Sequence, residues 1–288
     1  MRIWRHLREP VAAGLLWGAL ASLCLLVRDV WGGQLLLWAP SGVAVAAFHA
    51  TRRSRWALLT VVLLPMQAAT VWLWGTPLPQ AFIYSTASLV QTVVAASLGI
   101  AALGGRREVP RRFRQVAGLF GAALIGCLVG ALIAIPFRAE QTLAEFAWWF
   151  LANVLAILTL TPVLLLARQM LGIGARVQNA MMDRSILLTL LGCAGLAVVA
   201  LQVSEVALMP LLVAAMVFAT VRYGQTASAL TILTYVLVAT VLSIFAGSPM
   251  PFLDMPAGQA TLVLQSWMLT MRCRSPPCCS SARNCNCN

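Results

Sequence analysis

The stretch Trp38-Ala39-Pro40-Ser41-Gly42 stands at the head of an otherwise apolar segment of the chain. Proline lacks a backbone N–H donor and glycine is conformationally permissive, so the pair is expected to interrupt regular helix hydrogen bonding. In lipid each freed carbonyl needs a partner, and such an interruption is tolerated inside a helix bundle or beside a cavity. The stretch therefore predicts a recognition element within a membrane rather than the site of a soluble enzyme.

The composition indicates an all-α, polytopic transmembrane bundle. Of the 288 residues, 61% are apolar and only 10% are charged, and the mean hydropathy is +0.88. A soluble domain of this size would carry more charge. All 20 basic residues are arginine and most lie in short segments between apolar runs, which is typical of membrane topology signals. We therefore expect the lipid bilayer as a partner, and no nucleic acid.

Apolar runs of membrane-crossing length recur along the whole chain. They predict nine complete spans, and a truncated tenth begins near residue 260. The nine lie at about 11–27, 35–50, 56–74, 81–103, 115–135, 145–167, 186–201, 206–221 and 226–246.

The distribution of arginine predicts the orientation of these spans. If the N-terminus is cytoplasmic, eighteen of the twenty arginines fall in inner segments, and only Arg28 and Arg138 fall in outer loops. This bias follows the positive-inside rule. An incorrect span count would place the arginines on both sides of the membrane. We expect both chain ends to be cytoplasmic.

Small residues in the fifth span predict a close helix–helix contact. They recur at a strict four-residue interval, which places them on one helix face and lets a neighbouring helix approach. These residues are Gly118, Ala122, Gly126 and Gly130.

Spans two and six both carry polar or helix-interrupting residues in their predicted outer halves. Span six contains Trp149, Asn153 and Pro162, and Asn153 would lie roughly 12 Å below its outer end. The interruption at Pro162 could then face the one at Pro40, while Gln91 lies in the middle of span four. A polar side chain in lipid needs a partner, which leaves open helix–helix adhesion and a role in ligand binding or switching.

The titratable residues argue against several functional classes. No Asp, Glu or His falls near the centre of a span, whereas proton relays and ion-coupled carriers usually need one there. The spans contain no phosphate-binding loop, nucleophile–base set or metal-ligand cluster. We therefore expect no catalytic residues, no cofactor and no metal.

Four motifs in order resemble the first type of membrane-associated sensor (MASE) domain over about residues 11–265. The first three are Trp38-Ala39-Pro40-Ser41-Gly42, the Trp149, Asn153 and Pro162 pattern, and Val221-Arg222-Tyr223-Gly224. The fourth joins Gly247-Ser-Pro249-Met-Pro251-Phe252 to the following Leu262-x-Leu-Gln265.

The resemblance implies a non-enzymatic sensory input module of bacterial inner membranes. Such domains usually precede a cytoplasmic diguanylate cyclase, phosphodiesterase or histidine kinase, and respond to an undefined small-molecule or protein stimulus. A second copy of the chain is a further candidate partner. The alternatives are a small-solute permease and a scaffold that recruits a separate enzyme. The candidate ligand or switch residues are Trp38, Pro40, Ser41, Gly42, Gln91, Trp149, Asn153, Pro162 and Arg222.

The composition changes after residue 265, which divides the chain into a sensor domain (1–265) and a tail (266–288). The last seventeen residues contain five of the eight cysteines, but no histidine accompanies them and their spacing is not typical of zinc sites. A shifted reading frame is our hypothesis for this tail. A neighbouring frame of GC-rich codons would complete the tenth helix and begin an amphipathic linker, which sequencing of the locus would test.

Overall fold

The computed structural model describes residues 2–31, 37–105, 113–138, 141–173, 184–202, 209–223, 225–246 and 257–274. These residues form ten α-helices and no strands, with short 3-10 turns at Arg53–Arg55 and Ile135–Phe137. The helices are α1 (Arg2–Trp31), α2 (Ala39–Ala50), α3 (Trp56–Leu73), α4 (Leu78–Leu103), α5 (Phe113–Ala134), α6 (Leu143–Ile173), α7 (Arg184–Gln202), α8 (Met209–Tyr223), α9 (Gln225–Ala246) and α10 (Ala257–Arg274).

The all-helical class predicted from the sequence is confirmed, and most helix positions agree with the apolar runs. The largest differences are at α1 and α6, which continue beyond their apolar segments. Hydropathy identifies the part of a helix that is apolar enough for lipid. Arginine, leucine and glutamine all favour the helical conformation, so a helix can extend beyond its apolar part.

Six helices are long and apolar enough to cross a membrane. This finding concerns only the part of the chain that the structure describes, and it establishes a membrane protein without fixing the number of crossings. The six segments are Glu9–Asp29, Arg53–Leu73, Leu78–Leu103, Arg114–Phe137, Leu143–Arg168 and Ser185–Gln202.

The short helix α2 lies at the centre of the packing. It has 12 residues, about 18 Å at 1.5 Å per residue, and all of them except Ala47 are buried. It packs against α6, α4 and α1. A helix that is apolar all round is buried on all sides, and α2 follows this rule although its first turn contains Pro40 and Ser41.

Neither Pro40 nor Pro162 ends a helix. Pro40 lies in the first turn of α2, where a missing N–H costs nothing because the first four N–H groups of a helix have no intrahelical acceptor. Helix α6 continues through Pro162 without ending. At Pro162 the missing N–H leaves one intrahelical hydrogen bond of α6 unmade, whereas Pro40 causes no break, and the first turn of α2 packs against α6.

The small residues of α5 form a seam against α4. A Cβ atom built on Gly126 would lie 2.7 Å from the Ala95 Cβ and 2.9 Å from the Gln91 carbonyl oxygen, and one on Gly118 would lie 2.5 Å from the Ala102 Cβ. Ala122, between them, is buried. The two helix backbones therefore approach too closely for larger residues.

Replacing Gly126 with alanine is expected to lower the free energy of unfolding by about 1–2 kcal/mol, because the new methyl group meets backbone atoms of α4 that cannot move aside. The change can be measured by chemical unfolding in lipid–detergent micelles. Gly121→Ala is the matched control, since a Cβ there meets nothing within 4 Å. Equal stabilities of the two variants would contradict the seam.

Candidate functional site

Three buried polar side chains meet where α2, α4 and α6 come together. They are Ser41 on α2, Gln91 on α4 and Asn153 on α6. The Ser41 hydroxyl donates a hydrogen bond to Oδ1 of Asn153. The Gln91 Nε2 donates to the same oxygen at 3.1 Å, and it lies 3.4 Å from the Ser41 oxygen. We call these three residues the polar triad.

The amide nitrogen of Asn153 bonds to the backbone of α6, the helix that carries Asn153. Its Nδ2 donates to the Trp149 carbonyl oxygen at 2.7 Å. Asn153 is thus the common acceptor for two other helices and is itself held in one orientation. Because an unpaired polar group is costly in apolar surroundings, the three helices are favoured in the relative position that pairs the Ser41 hydroxyl, the Gln91 Nε2 and both ends of the Asn153 amide.

Helices α2 and α6 are also in backbone contact beside the triad. A Cβ built on Gly42 would lie 2.5 Å from the Ala156 carbonyl oxygen and 2.6 Å from the Leu160 Cβ. The Thr161 hydroxyl donates to the Gly42 carbonyl oxygen at 3.1 Å, and the Trp38 N–H donates to the Ala152 carbonyl oxygen at 3.2 Å. The α6 backbone at Ala156 packs closely against α2 because Gly42 has no side chain to keep the two helices apart.

A cavity of about 620 Å³ lies next to the triad, and Asn153 forms part of its wall. Drug-sized ligands occupy pockets of this size, with mainly apolar walls and a few polar groups. Five tryptophans contribute to the lining: Trp17, Trp38, Trp74, Trp148 and Trp149. The polar part of the lining includes Gln67, Ser85 and Ser88.

The cavity lies at the end of the bundle where α1 and α3 finish and α4 and α6 begin. Arg28, Trp74 and Pro77 at these helix ends line it, as does Arg138 in the connection between α5 and α6. The arginine distribution predicts that these same connections are outer loops.

The charged residues at the mouth of the cavity are paired with one another. Arg138 lies 3.0 Å from Glu145, and its guanidinium is 5.8 Å from the centre of the Trp149 ring. Arg28 lies 2.6 Å from Asp29. The Arg28–Asp29 pair is exposed and contributes little stability, whereas Arg138 and Glu145 are partly buried. Both pairs leave the mouth of the cavity with little net charge.

A line of polar residues on α4 connects the cavity with the triad. Ser85, Ser88 and Gln91 follow one another at three-residue intervals, which places them along one side of the helix. Ser85 and Ser88 line the cavity and Gln91 belongs to the triad. A molecule in the cavity would therefore contact the same polar surface that holds the three helices together.

The structure brings most of the candidate residues into one place. Trp38 precedes α2, lines the cavity and packs edge-on against Trp17 with the ring centres 6.3 Å apart. Pro40, Ser41, Gly42, Gln91, Trp149 and Asn153 lie in or beside the triad, and Pro162 follows the Thr161 contact. Arg222 lies apart from them in the last turn of α8, with its guanidinium 5.4 Å from the ring centre of Tyr223.

Trp17 and Gln67 are among the lining residues that the sequence analysis did not single out. Gln67 lies within an apolar helix as Gln91 does, so the argument applied to Gln91 would have found it. Trp17 carried no such signal, because an aromatic residue in an apolar helix usually belongs to the lipid-facing or core surface.

Among the described residues no group of three or more His, Cys, Asp or Glu could hold a metal ion. Of the five tail cysteines, Cys273 lies in the last turn of α10, and the other four lie outside the described residues.

Comparison with protein families agrees with the resemblance drawn from the motifs. The sequence model of the family MASE1 matches residues 10–274, most of the chain. No curated protein and no solved structure matches significantly. The chain belongs to the MASE1 family, membrane-associated sensor domains of the first type, and is a membrane sensory module.

Proposed function

We propose that the polar triad is the switch of this sensory module, and that occupation of the adjacent cavity changes how α2, α4 and α6 pack. The observation that carries this proposal is the position of Asn153, whose side chain belongs both to the cavity wall and to the triad. A ligand that hydrogen-bonds to Asn153 would compete with Ser41 and Gln91 for the same oxygen. Binding would then shift the equilibrium between two helix arrangements.

Helix α6 offers a direct route from the triad to the end of the described chain. It carries Asn153, and it also packs against α9 and α10. Leu264 and Met268 of α10 are buried in the same apolar core as Val154 and Leu155 of α6. A displacement of α6 would thus shift α10 directly, because the two helices are in contact.

The output in this proposal is a cytoplasmic diguanylate cyclase, phosphodiesterase or histidine kinase that acts after α10, in the same chain or in a separate one. The module would lie in the bacterial inner membrane with both ends cytoplasmic. The arginine bias supports this orientation.

A fusion of residues 1–274 to a cytoplasmic diguanylate cyclase tests the proposal. We expect Ser41→Ala to change the cyclase output at least severalfold, because it removes one of the two donors to Asn153 and alters the balance between helix arrangements. The cyclase can act only on cytoplasmic GTP, so any activity also locates the end of α10.

Ser54→Ala is the matched control, because Ser54 is exposed and lies between α2 and α3, outside the triad. Both variants are compared at equal amounts of membrane-inserted protein. An output that is the same for Ser41→Ala, Ser54→Ala and the unmodified fusion would show that the triad is not the switch.

A further inference from the structure

The cavity contains buried polar atoms that have no hydrogen-bond partner among the described residues. Gln67 is fully buried, and neither its amide nitrogen nor its amide oxygen is paired. The hydroxyls of Ser85 and Ser88 and the indole nitrogens of Trp17 and Trp149 are unpaired as well. All five residues line the same cavity. Buried polar groups are nearly always satisfied, so this set indicates a surface made to receive a hydrogen-bonding molecule.

The chemistry of these atoms restricts what that molecule is. A free carboxamide offers one donor and one acceptor side by side. Its complement is a group with an acceptor beside a donor, such as a lactam or another cis-amide edge. This holds whichever way the Gln67 amide is oriented, because a flip exchanges the two roles. The indole N–H groups and serine hydroxyls add further donors around it.

The rest of the lining points to a planar and uncharged molecule. Indole rings offer flat faces on which an aromatic ring stacks well. The arginines at the mouth are already paired with Glu145 and Asp29, and the described lining has no charged residue besides Arg28, Arg138 and Glu145. A charged ligand would lose its hydration without gaining a counter-ion.

We infer that the cavity binds uncharged, planar heterocycles that carry a lactam or similar cis-amide edge, and that Gln67 recognises this edge. The inference rests on the proposed function, since it names the ligand class of the same cavity. The inference assigns Gln67 to binding and leaves Ser41 and Asn153 to the switch.

Carbostyril, a planar bicyclic lactam, serves as the probe, and N-methylcarbostyril is its matched control. The methyl group blocks the N–H donor but keeps the rings and the carbonyl. Binding to the full chain in lipid nanodiscs is measured by calorimetry, with empty nanodiscs to subtract partitioning into lipid. We expect saturable binding of carbostyril, and binding about tenfold weaker for the N-methyl compound, the usual loss when one hydrogen bond goes unmade.

The variant Gln67→Leu separates recognition of the edge from ring stacking. We expect Gln67→Leu to weaken the binding of carbostyril about tenfold and to leave the binding of N-methylcarbostyril nearly unchanged. The substitution and the methyl group remove the same hydrogen bond, so their effects should not add. Gln115→Leu is the control variant, because Gln115 bonds the Leu103 carbonyl at the opposite end of α4. It should bind carbostyril as the unmodified chain does.

Three results would overturn the inference. They are no saturable binding above empty nanodiscs, equal affinity for carbostyril and its N-methyl form, and equal affinity for naphthalene, which would indicate a purely apolar slot. The two ligands are compared on the unmodified chain, so the test does not depend on the folding of a variant. The calorimetry measures binding and not signalling. A negative binding result can therefore be distinguished from a negative Ser41→Ala result.

Discussion

Replacing Gly42 with leucine is expected to force α2 away from α6 and to lower the free energy of unfolding by on the order of 3 kcal/mol. The first atom of the new side chain would already lie 2.5 Å from the Ala156 carbonyl oxygen. That oxygen belongs to a helix backbone, so a change of side-chain rotamer cannot relieve the contact. The remaining atoms of leucine would add to the overlap, because the adjacent surface of α6 is buried.

The matched control for this variant is Gly192→Leu. Gly192 lies on an exposed face of α7, and a Cβ there meets nothing within 4 Å. Unfolding in lipid–detergent micelles compares the two variants, and the cyclase fusion compares their outputs. A Gly42→Leu protein as stable as Gly192→Leu would show that α2 and α6 do not approach as closely as described.

Replacing Asn153 with alanine is expected to cost about 2 kcal/mol of stability and to fix the output of the fusion in one state. The substitution leaves the Ser41 hydroxyl and the Gln91 amide without their common acceptor in an apolar environment, and each unmade bond of this kind costs about 1–3 kcal/mol. The signalling effect follows because no ligand could then compete for the missing oxygen.

A double-mutant cycle separates the triad contact from general loss of packing. Asn153→Ala and Gln91→Ala should together cost less than the sum of the two single changes, with a coupling of about 0.5–2 kcal/mol. Thr86→Ala is the control partner for Asn153→Ala, since the Thr86 hydroxyl bonds only the Phe82 carbonyl of its own helix and is exposed. A Gln91 coupling no larger than the Thr86 coupling would argue against the triad.

Much of the architecture could be read from hydropathy and spacing. The apolar runs predicted the helices within a few residues for α3, α4, α5 and α9, because lipid leaves a backbone no option but to satisfy its own hydrogen bonds. Pro40 causes no interruption because it lies in the first turn of α2, and α6 continues through Pro162. The effect of a proline depends on its position in the helix and on its neighbours. The sequence alone does not show where the helix begins or which residues pack around the proline.

The candidate site could be predicted only as a set of unusual residues. Ser41, Gln91 and Asn153 stood out one by one as polar groups in apolar helices, and the paired breaks suggested that spans two and six meet. That the three share one oxygen, with Gln67 and Trp17 around an adjoining cavity, depended on contacts between helices far apart in the chain.

The sequence by itself determined the class of this protein, its helices and its family, because these follow from local composition and motifs in chain order. Only the tertiary structure decided which polar groups are satisfied and which are left for a ligand. Hydrogen bonds act over about 3 Å, and the rotation and depth that bring a helix face within that distance are set by packing against neighbours such as Gly42 and Ala156.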